Sequence, residues 1–388
     1  MLIITEILFY LIFLLIINSF FIYPLIVYLL SRKNNIESAT SNGYCPSVSI
    51  LISANNEEKS IEERIKNIAL LNYDFTKLEV FVGSDNSTDS TNEILQRLEK
   101  EYKWLTIFIS EKRRGKAGIL NELILKVKNE ILVFTDANTE FKKDTLTNLV
   151  RDFSRKKVGG VCGKLVLTDD ERILSEGVEE SEYWKYETFI KQCEGKCGVL
   201  IAANGGIFAI RKELYKNIPT EKAVTDDLFL SLAVVSQGYL FAYAENALAF
   251  ESIGKDMQAE YDRKLRFSAT NFQTFIEHKS LILGKNHFLA YTFLSHKVTR
   301  WVLPWLLLLL FISSIFLAKV NSLIFLLMVL QMFFYLAAFI GWMLSLVKVR
   351  IMIFSLPYFF VVSNVAVAMG LIRFLKKEHS VIWEATKR

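Results

Sequence analysis

The chain has 388 residues, of which 52% are hydrophobic and 13% aromatic, and its formal net charge is +5. This proportion of apolar residues argues against an ordinary soluble protein. Much of the positive charge flanks apolar segments, and the sequence shows no module of basic and aromatic residues for nucleic-acid binding, so we expect no nucleic-acid partner.

The first apolar segment runs from Leu2 to Leu30 and is followed directly by Arg32 and Lys33. It exceeds the roughly 20 residues that a helix needs to cross a hydrocarbon core. A cleavable signal peptide carries its basic residues before the apolar run rather than after it. We therefore predict a transmembrane anchor over residues 1–31 rather than a signal peptide.

Residues 32–256 alternate apolar, strand-like runs with amphipathic helical patterns. A β-α-β-α order with connections of this length predicts an α/β fold with a mostly parallel, doubly wound sheet and right-handed crossovers. The strands are predicted at Ser47–Ser53, Leu78–Val82, Leu105–Ile109 and Ile131–Thr135, and the helices at Glu58–Leu71, from Ser87 or Thr88 to about Tyr102, and at Lys116–Lys128.

Three of these strands end in polar loops, at residues 54–58, 84–89 and 136–138. The last loop begins with Asp136, which follows a buried-type strand. Ligands of open α/β sheets bind at the edge where parallel strands end. The sequence therefore predicts a binding site formed by these three loops.

Residues 257–300 are predicted to form amphipathic helices on the membrane surface, because an apolar stripe from Met257 to Ile276 is flanked by Arg and Lys. Residues 301–388 are predicted to form a transmembrane bundle and tail. Its apolar segments are Trp301–Ala318, Ser322–Val347 and Ile351–Ile372, each about long enough to cross a bilayer.

Basic residues flank the globular part at both membrane ends, which places that part in the cytoplasm at the cell inner (plasma) membrane. Three full crossings would then leave the C-terminal tail outside, although its own basic residues favour the inside. A re-entrant or interfacial Ile351–Ile372, which contains Pro357 and Asn364, would resolve this conflict, and the side of the tail stays open. The four cysteines lack zinc-ligand spacing and are expected to be reduced.

Seven motifs occur in an order that resembles the membrane-bound family 2 glycosyltransferases, the group of cellulose, hyaluronan and poly-N-acetylglucosamine synthases, which have a GT-A catalytic fold. In chain order they are Ser53–Glu58, Ser84–Asp89, Gly115–Asn121, Asp136-Ala137-Asn138 in the D-x-D position, Ala203–Arg211, Thr225-Asp226-Asp227, and Arg263–Phe267 in place of Q-x-x-R-W. Trp383–Arg388 is similar to a closing signature of bacterial relatives.

This resemblance implies a nucleotide-sugar donor, expected to be a UDP-sugar, and an Mg²⁺ or Mn²⁺ cofactor held by Asp136 and Asn138. A divalent cation and basic side chains suit the negative charge of a departing diphosphate. The alternative for Asp136 is a solvated loop residue. The implied donor-binding residues are Asn56, Glu57, Asp85, Lys116, Asp136, Arg263 and Arg266, and the implied acceptor-binding residues are Asn204, Gly205, Gly206 and Phe267.

Asp227 is the candidate catalytic base, with Asp226 beside it, because an acceptor hydroxyl needs a carboxylate to take its proton. The alternative is that this pair only caps the helix that follows. Arg263 and Arg266 share one helix face and suit diphosphate oxygens, or belong to an interfacial helix. Phe267 stands where processive members carry tryptophan, which leaves processivity open.

We therefore expect an inverting β-glycosyltransferase that acts on a polysaccharide or lipid-linked acceptor, in exopolysaccharide, capsule or cell-surface glycan synthesis. Two alternatives remain: a non-processive transferase that adds one sugar to a lipid-linked intermediate, and an inactive nucleotide-sugar-binding assembly subunit. A transporter is disfavoured because the chain has no repeated bundle halves. The lipid bilayer is an expected partner, and other glycan-assembly or export proteins are candidate partners.

Overall fold

The computed structural model describes residues 2–33, 43–168, 178–252 and 257–378. The strands are β1 (Val48–Ala54), β2 (Leu78–Asp85), β3 (Leu105–Ser110), β4 (Ile131–Phe134), β5 (Glu140–Phe141), β6 (Val158–Thr168), β7 (Phe208–Arg211) and β8 (Leu240–Ser252). The helices are α1 (Leu2–Ile17), α2 (Tyr23–Lys33), α3 (Ile61–Ala69), α4 (Thr91–Glu101), α5 (Gly115–Ile124), α6 (Thr145–Val150), α7 (Val178–Lys196), α8 (Asp226–Ser236), α9 (Met257–Glu277), α10 (His287–Thr292), α11 (Thr299–Leu317), α12 (Ser322–Leu346) and α13 (Met352–Leu375).

The strands form one sheet in the order β3-β2-β1-β4-β7-β6-β8-β5. The strands β3, β2, β1 and β4 are parallel, which confirms the predicted α/β sheet over its first half. The second half is mixed, because β7 runs antiparallel to both β4 and β6 whereas β8 runs parallel to β6. The ends of β1, β2 and β4 therefore meet at one edge, as the polar loops predicted.

Two apolar layers cover the sheet, because successive residues of a strand point to opposite faces. Ile50 and Ile52 belong to the layer that α3, α4 and α6 complete. Leu51 belongs to the other layer, which α5 and α8 complete and which also takes in Phe293 and Trp301. Residues from the apolar C-terminal part thus share a core with the α/β domain.

Within the described part of the chain, four continuous helical runs are long and apolar enough to cross a membrane by length and composition: Leu2–Lys33, His287–Leu317, Ser322–Leu346 and Met352–Leu375. The first two each contain a π-helical turn, at Asn18–Ile22 and Phe293–Val298. The helix predicted before Trp301 is therefore continuous with the apolar helix that follows it.

The run Met352–Leu375 is one α-helix through Pro357, which removes the re-entrant alternative for this segment and leaves a crossing or an interfacial helix. It packs closely against α9. A Cβ atom on Gly370 would lie 2.4 Å from Cβ of Ser268, so glycine allows this approach. The predicted tail signature Trp383–Arg388 lies outside the described residues.

Candidate active site

All of the predicted site residues line one cavity of about 1940 Å³, although they come from every part of the α/β domain and from α9. This cavity lies at the predicted edge of the sheet and extends between the apolar helices. The predicted residues that line it are Asn56, Glu57, Asp85, Lys116, Asp136, Asn138, Asn204, Gly205, Gly206, Asp226, Asp227, Arg263, Arg266 and Phe267.

The loops after β1 and β2 are held together by side chains. Asn56 has a positive φ of 56°, which asparagine tolerates better than most residues, and its Oδ1 accepts a hydrogen bond of 2.8 Å from the Thr88 backbone N–H. The Glu57 backbone N–H donates to Thr91 Oγ1 at 2.8 Å. These contacts make the two loops one rigid wall of the cavity.

Asp85 is buried at the end of β2, where its carboxylate accepts hydrogen bonds from the backbone N–H groups of Arg114 (2.6 Å) and Gly115 (2.9 Å). These groups lie at the N-terminus of α5, where a negative charge is stabilised by the helix dipole. Asp85 therefore fixes the start of the helix that carries Lys116. Its predicted contact with the nucleotide stays a prediction.

Lys116 joins the two acidic motifs. Its Nζ lies 2.8 Å from Asp136 Oδ1 and 3.0 Å from Asp226 Oδ2. Burial alone would lower the pKa of Lys116, but the two carboxylates outweigh burial and raise it. The carboxylates that follow β4 and begin α8 therefore converge on one cation.

Asp227 lies in the first turn of α8, and its Oδ1 accepts a hydrogen bond of 2.6 Å from the Leu228 backbone N–H. Burial, and then the neighbouring charge of Asp226, raises the pKa of Asp227 to about 6, although Lys191 and Lys116 oppose the rise. The N-cap position itself belongs to Thr225. A carboxylate with this pKa is mostly ionised at neutral pH and can accept a proton.

Lys191, which none of the sequence motifs indicated, lies on α7, lines the cavity and is only 6% exposed. Its Nζ donates a hydrogen bond of 2.6 Å to Asn204 Oδ1. The Asn204 amide in turn donates to the Gly163 carbonyl at 2.8 Å. Lys191 therefore positions the predicted acceptor loop and adds a positive charge near Asp227.

Two glutamates flank Lys191 on the same face of α7, because residues 187, 191 and 194 are spaced by four and three. Glu187 contacts His296 (3.0 Å), Lys297 (2.5 Å) and Arg300 (3.1 Å). Burial disfavours its charge, but its interactions with these three side chains hold the pKa of Glu187 well below its usual range. Glu194 accepts a hydrogen bond of 2.6 Å from the Tyr23 hydroxyl. Helix α7 thus connects the cavity to the helical runs Leu2–Lys33 and His287–Leu317.

The basic motif of α9 lies on the same cavity. The Arg266 guanidinium lies 5.2 Å from the ring centroid of Phe267, and Arg263 lies one turn before it. On another face, Leu265 and Phe272 are buried, and the Phe272 ring contacts Trp301 and Phe374. These apolar side chains of α9 therefore face protein rather than lipid.

The donor atoms at the end of β4 fit a divalent cation. Asp136 and Asn138 offer a carboxylate and an amide oxygen, and the ammonium of Lys116 already shows that Asp136 favours a cation here. Among residues 2–33, 43–168, 178–252 and 257–378, no group of three or more His, Cys, Asp or Glu side chains could hold a metal. A cation here would complete its coordination with water and phosphate oxygens.

A mixed α/β sheet whose strand ends bring carboxylates and lysines to one cavity agrees with the predicted GT-A fold. Residues 49–218 match the family model "Glycosyl transferase family 2", so the chain carries a glycosyltransferase family 2 domain. This match confirms the predicted family 2 glycosyltransferase domain over residues 49–218.

Two curated relatives are similar to this chain over more than half of its length. The chain is 27% identical over 274 residues to the beta-monoglucosyldiacylglycerol synthase of Nostoc sp., which covers 68% of this chain and 57% of that protein. It is 22% identical over 244 residues to the poly-beta-1,6-N-acetyl-D-glucosamine synthase of Staphylococcus aureus, with 62% and 57% covered. The chain thus spans about 57% of the length of each of these relatives.

A solved structure is similar over nearly the whole chain. It is the mannosyltransferase PcManGT from Pyrobaculum calidifontis in complex with GDP-Man and Mn²⁺, with a TM-score of 0.69 and 21% identity. The match covers 96% of this chain and 100% of that chain. This likeness shows the fold and extends it into the apolar C-terminal helices.

Proposed function

We propose that the chain is a membrane-bound, inverting glycosyltransferase that moves a sugar from a nucleotide-sugar donor to an acceptor hydroxyl at the cytoplasmic face of the plasma membrane. The observation that carries the proposal is the convergence of Asp136, Lys116 and Asp227 on one cavity that also reaches the apolar helices. The beta-linked products named for the relatives support an inverting reaction.

The donor diphosphate binds at the end of β4. Asp136 and Asn138 would hold an Mg²⁺ or Mn²⁺ ion, which would supply positive charge to stabilise the leaving diphosphate. Lys116, Arg263 and Arg266 add positive charge around the same group. The similar solved structure of PcManGT contains GDP-Man, so GDP-sugars are tested beside the UDP-sugars that the motifs predict.

Asp227 acts as the general base. It takes the proton of the acceptor hydroxyl while the acceptor oxygen attacks C1 of the sugar, opposite the departing diphosphate, which inverts that centre. A Cβ atom on Gly205 would lie 3.3 Å from Asp227 Oδ2. Glycine therefore leaves room beside the base for the acceptor.

The test is to incubate membranes that contain the protein with radiolabelled UDP-glucose, UDP-N-acetylglucosamine and GDP-mannose, and to size the labelled product. We expect a divalent-metal-dependent product from one donor that is absent for Asp227→Asn. A single-sugar product would assign non-processive transfer, and a long product would assign processive transfer, which the replacement of tryptophan by Phe267 leaves open. Donor binding without transfer to any endogenous or added acceptor would assign the inactive, nucleotide-sugar-binding alternative.

A further inference from the structure

The cavity has a second half that the donor does not need. Beyond the catalytic carboxylates it continues between α11, α12 and α13, where its lining is mostly apolar. The apolar side chains lining this part are Leu303, Phe334, Ile353, Leu356, Phe360 and Val367. Phe334 and Phe360 lie edge to face at a centroid distance of 5.5 Å and join α12 to α13.

This half of the cavity is poorly suited to a sugar chain. A glycan would bring several hydroxyl groups into contact with aliphatic and phenyl surfaces, where most of them would lose their hydrogen bonds to water. An acyl chain in the same place removes its own apolar surface and that of the lining from water. Only 11% of the most apolar stretch of α12, and 11% of that of α13, is buried inside the protein, so most of the surface of these helices is open to hydrocarbon.

The catalytic half selects the kind of head group. A phosphate acceptor is already ionised and needs no general base, and it would be repelled by Asp226 and Asp227. Among the cationic groups that line the cavity, Lys297 and Arg300 are paired with Glu187, Lys116 is paired with Asp136, and Lys264 donates a hydrogen bond of 2.6 Å to Ser363 Oγ. A neutral hydroxyl group fits beside these carboxylates, because a carboxylate accepts its hydrogen bond and then its proton.

We propose that the acceptor is an uncharged lipid alcohol whose acyl part lies between α12 and α13 and whose hydroxyl group reaches Asp227. This inference rests on the proposed transferase activity and names its substrate class. In the reaction the bond between C1 of the sugar and the diphosphate oxygen breaks, and a bond between C1 and the lipid oxygen forms. The hydroxyl proton goes to Asp227, and the nucleoside diphosphate leaves with the electron pair.

The experiment uses the full-length protein in mixed micelles with the three radiolabelled donors. Three acceptors are compared: dioleoylglycerol, undecaprenyl phosphate and a soluble β-linked glucan oligosaccharide. We expect label in the organic phase only with dioleoylglycerol. Nucleotide binding is measured in parallel, so that loss of the proposed function is separated from failure of this inference.

Two phenylalanines on α12 provide matched variants. Phe334 lines the cavity, whereas its neighbour Phe333 is 63% exposed and is not part of the lining. We expect Phe334→Ala to raise the KM for dioleoylglycerol about tenfold, from the lost apolar contact, with nucleotide binding unchanged. Phe333→Ala should leave both values unchanged. Leu356→Trp, which fills the cavity, should shift preference from dioleoylglycerol to dihexanoylglycerol.

Transfer to the oligosaccharide or to undecaprenyl phosphate, but not to dioleoylglycerol, would overturn the inference and leave the transferase assignment intact. Donor binding with no transfer to dioleoylglycerol would overturn it as well. Equal effects of Phe334→Ala and Phe333→Ala, with no change in chain-length preference for Leu356→Trp, would remove the acyl chain from this cavity. Absence of nucleotide binding would reject the proposed function itself.

Discussion

Replacing Asp227 by asparagine separates its two predicted roles, catalytic base and helix cap. As a base, Asp227 must lose its proton to work, so the rate of the wild-type enzyme should fall below pH 6, about tenfold for each pH unit well below the pKa of about 6. Asp227→Asn keeps the shape of the side chain but removes the base. We expect transfer to fall about 100- to 10,000-fold, with nucleotide binding nearly unchanged.

The stability of the Asp227→Asn variant, unlike its activity, should not fall. The fold raises the pKa of Asp227 from 3.8 to about 6, so the ionised side chain costs roughly 3 kcal/mol at neutral pH, at 1.36 kcal/mol per pH unit. The folded protein binds this proton more tightly than the unfolded chain does. This contribution to stability is therefore present below about pH 4 and is lost as the pH rises through 6.

Asp227→Asn should consequently leave the melting temperature at pH 7 unchanged or raised, since the loss of the contact with Leu228 offsets part of the gain. The assays are initial rates from pH 5 to 8, a nucleotide-binding titration and thermal unfolding in detergent. A residue that only capped α8 would instead cost about 0.5–2 kcal/mol of stability and leave an acid limb near pH 6 in the variant. That combination would refute the reasoning.

Asp136→Ala should abolish turnover and Asn138→Asp should keep or tighten its metal dependence; full activity in excess EDTA would contradict both. Calorimetry should show weak Mn²⁺ binding alone and tighter binding with UDP or GDP, because the protein offers few ligands; equal affinities would argue against a shared site. Lys191→Met should move the acid limb to higher pH, since its charge lowers the pKa of Asp227, and Lys191→Arg should not. In a cysteine-free variant, a cysteine at Ser380 should resist an impermeant reagent in intact cells if the tail is cytoplasmic, and labelling would place it outside.

The sequence predicted that the loops after β1, β2 and β4 would line one cavity, because these loops follow parallel strands. Each strand end is visible locally as an apolar run that stops at a polar loop, as at Asp136, and parallel strands bring such loops together without further information. The second half of the sheet was not predicted. Its strands β6, β7 and β8 pair in mixed directions with partners far apart in the chain, and local periodicity does not report such pairing.

The role of Asp85 shows a further limit. Its motif indicates a contact with nucleotide, whereas the structure shows its carboxylate bound to the backbone N–H groups of Arg114 and Gly115. Those partners are about 30 residues away, and a motif does not report contacts of that separation. The same side chain therefore has a structural role that sequence reasoning did not weigh.

Helix α7 and its contacts with the cavity were not predicted from the sequence. Its charged residues have the pattern of a solvent-exposed helix. Glu187 is paired with Lys297, 110 residues further along the chain, and no local feature of the sequence distinguishes such a glutamate from one in water. Isolated buried charges are costly, so Glu187 and Glu194 hold α7 firmly against the two π-helical runs only while their partners stay in place. Lys191 lies between these glutamates on the same face of α7, but it contacts Asn204 of the cavity rather than the membrane helices. A shift of the run His287–Leu317 would therefore move Lys191 with α7, so the geometry of the proposed catalytic base depends on a helix that also lines the proposed lipid cavity.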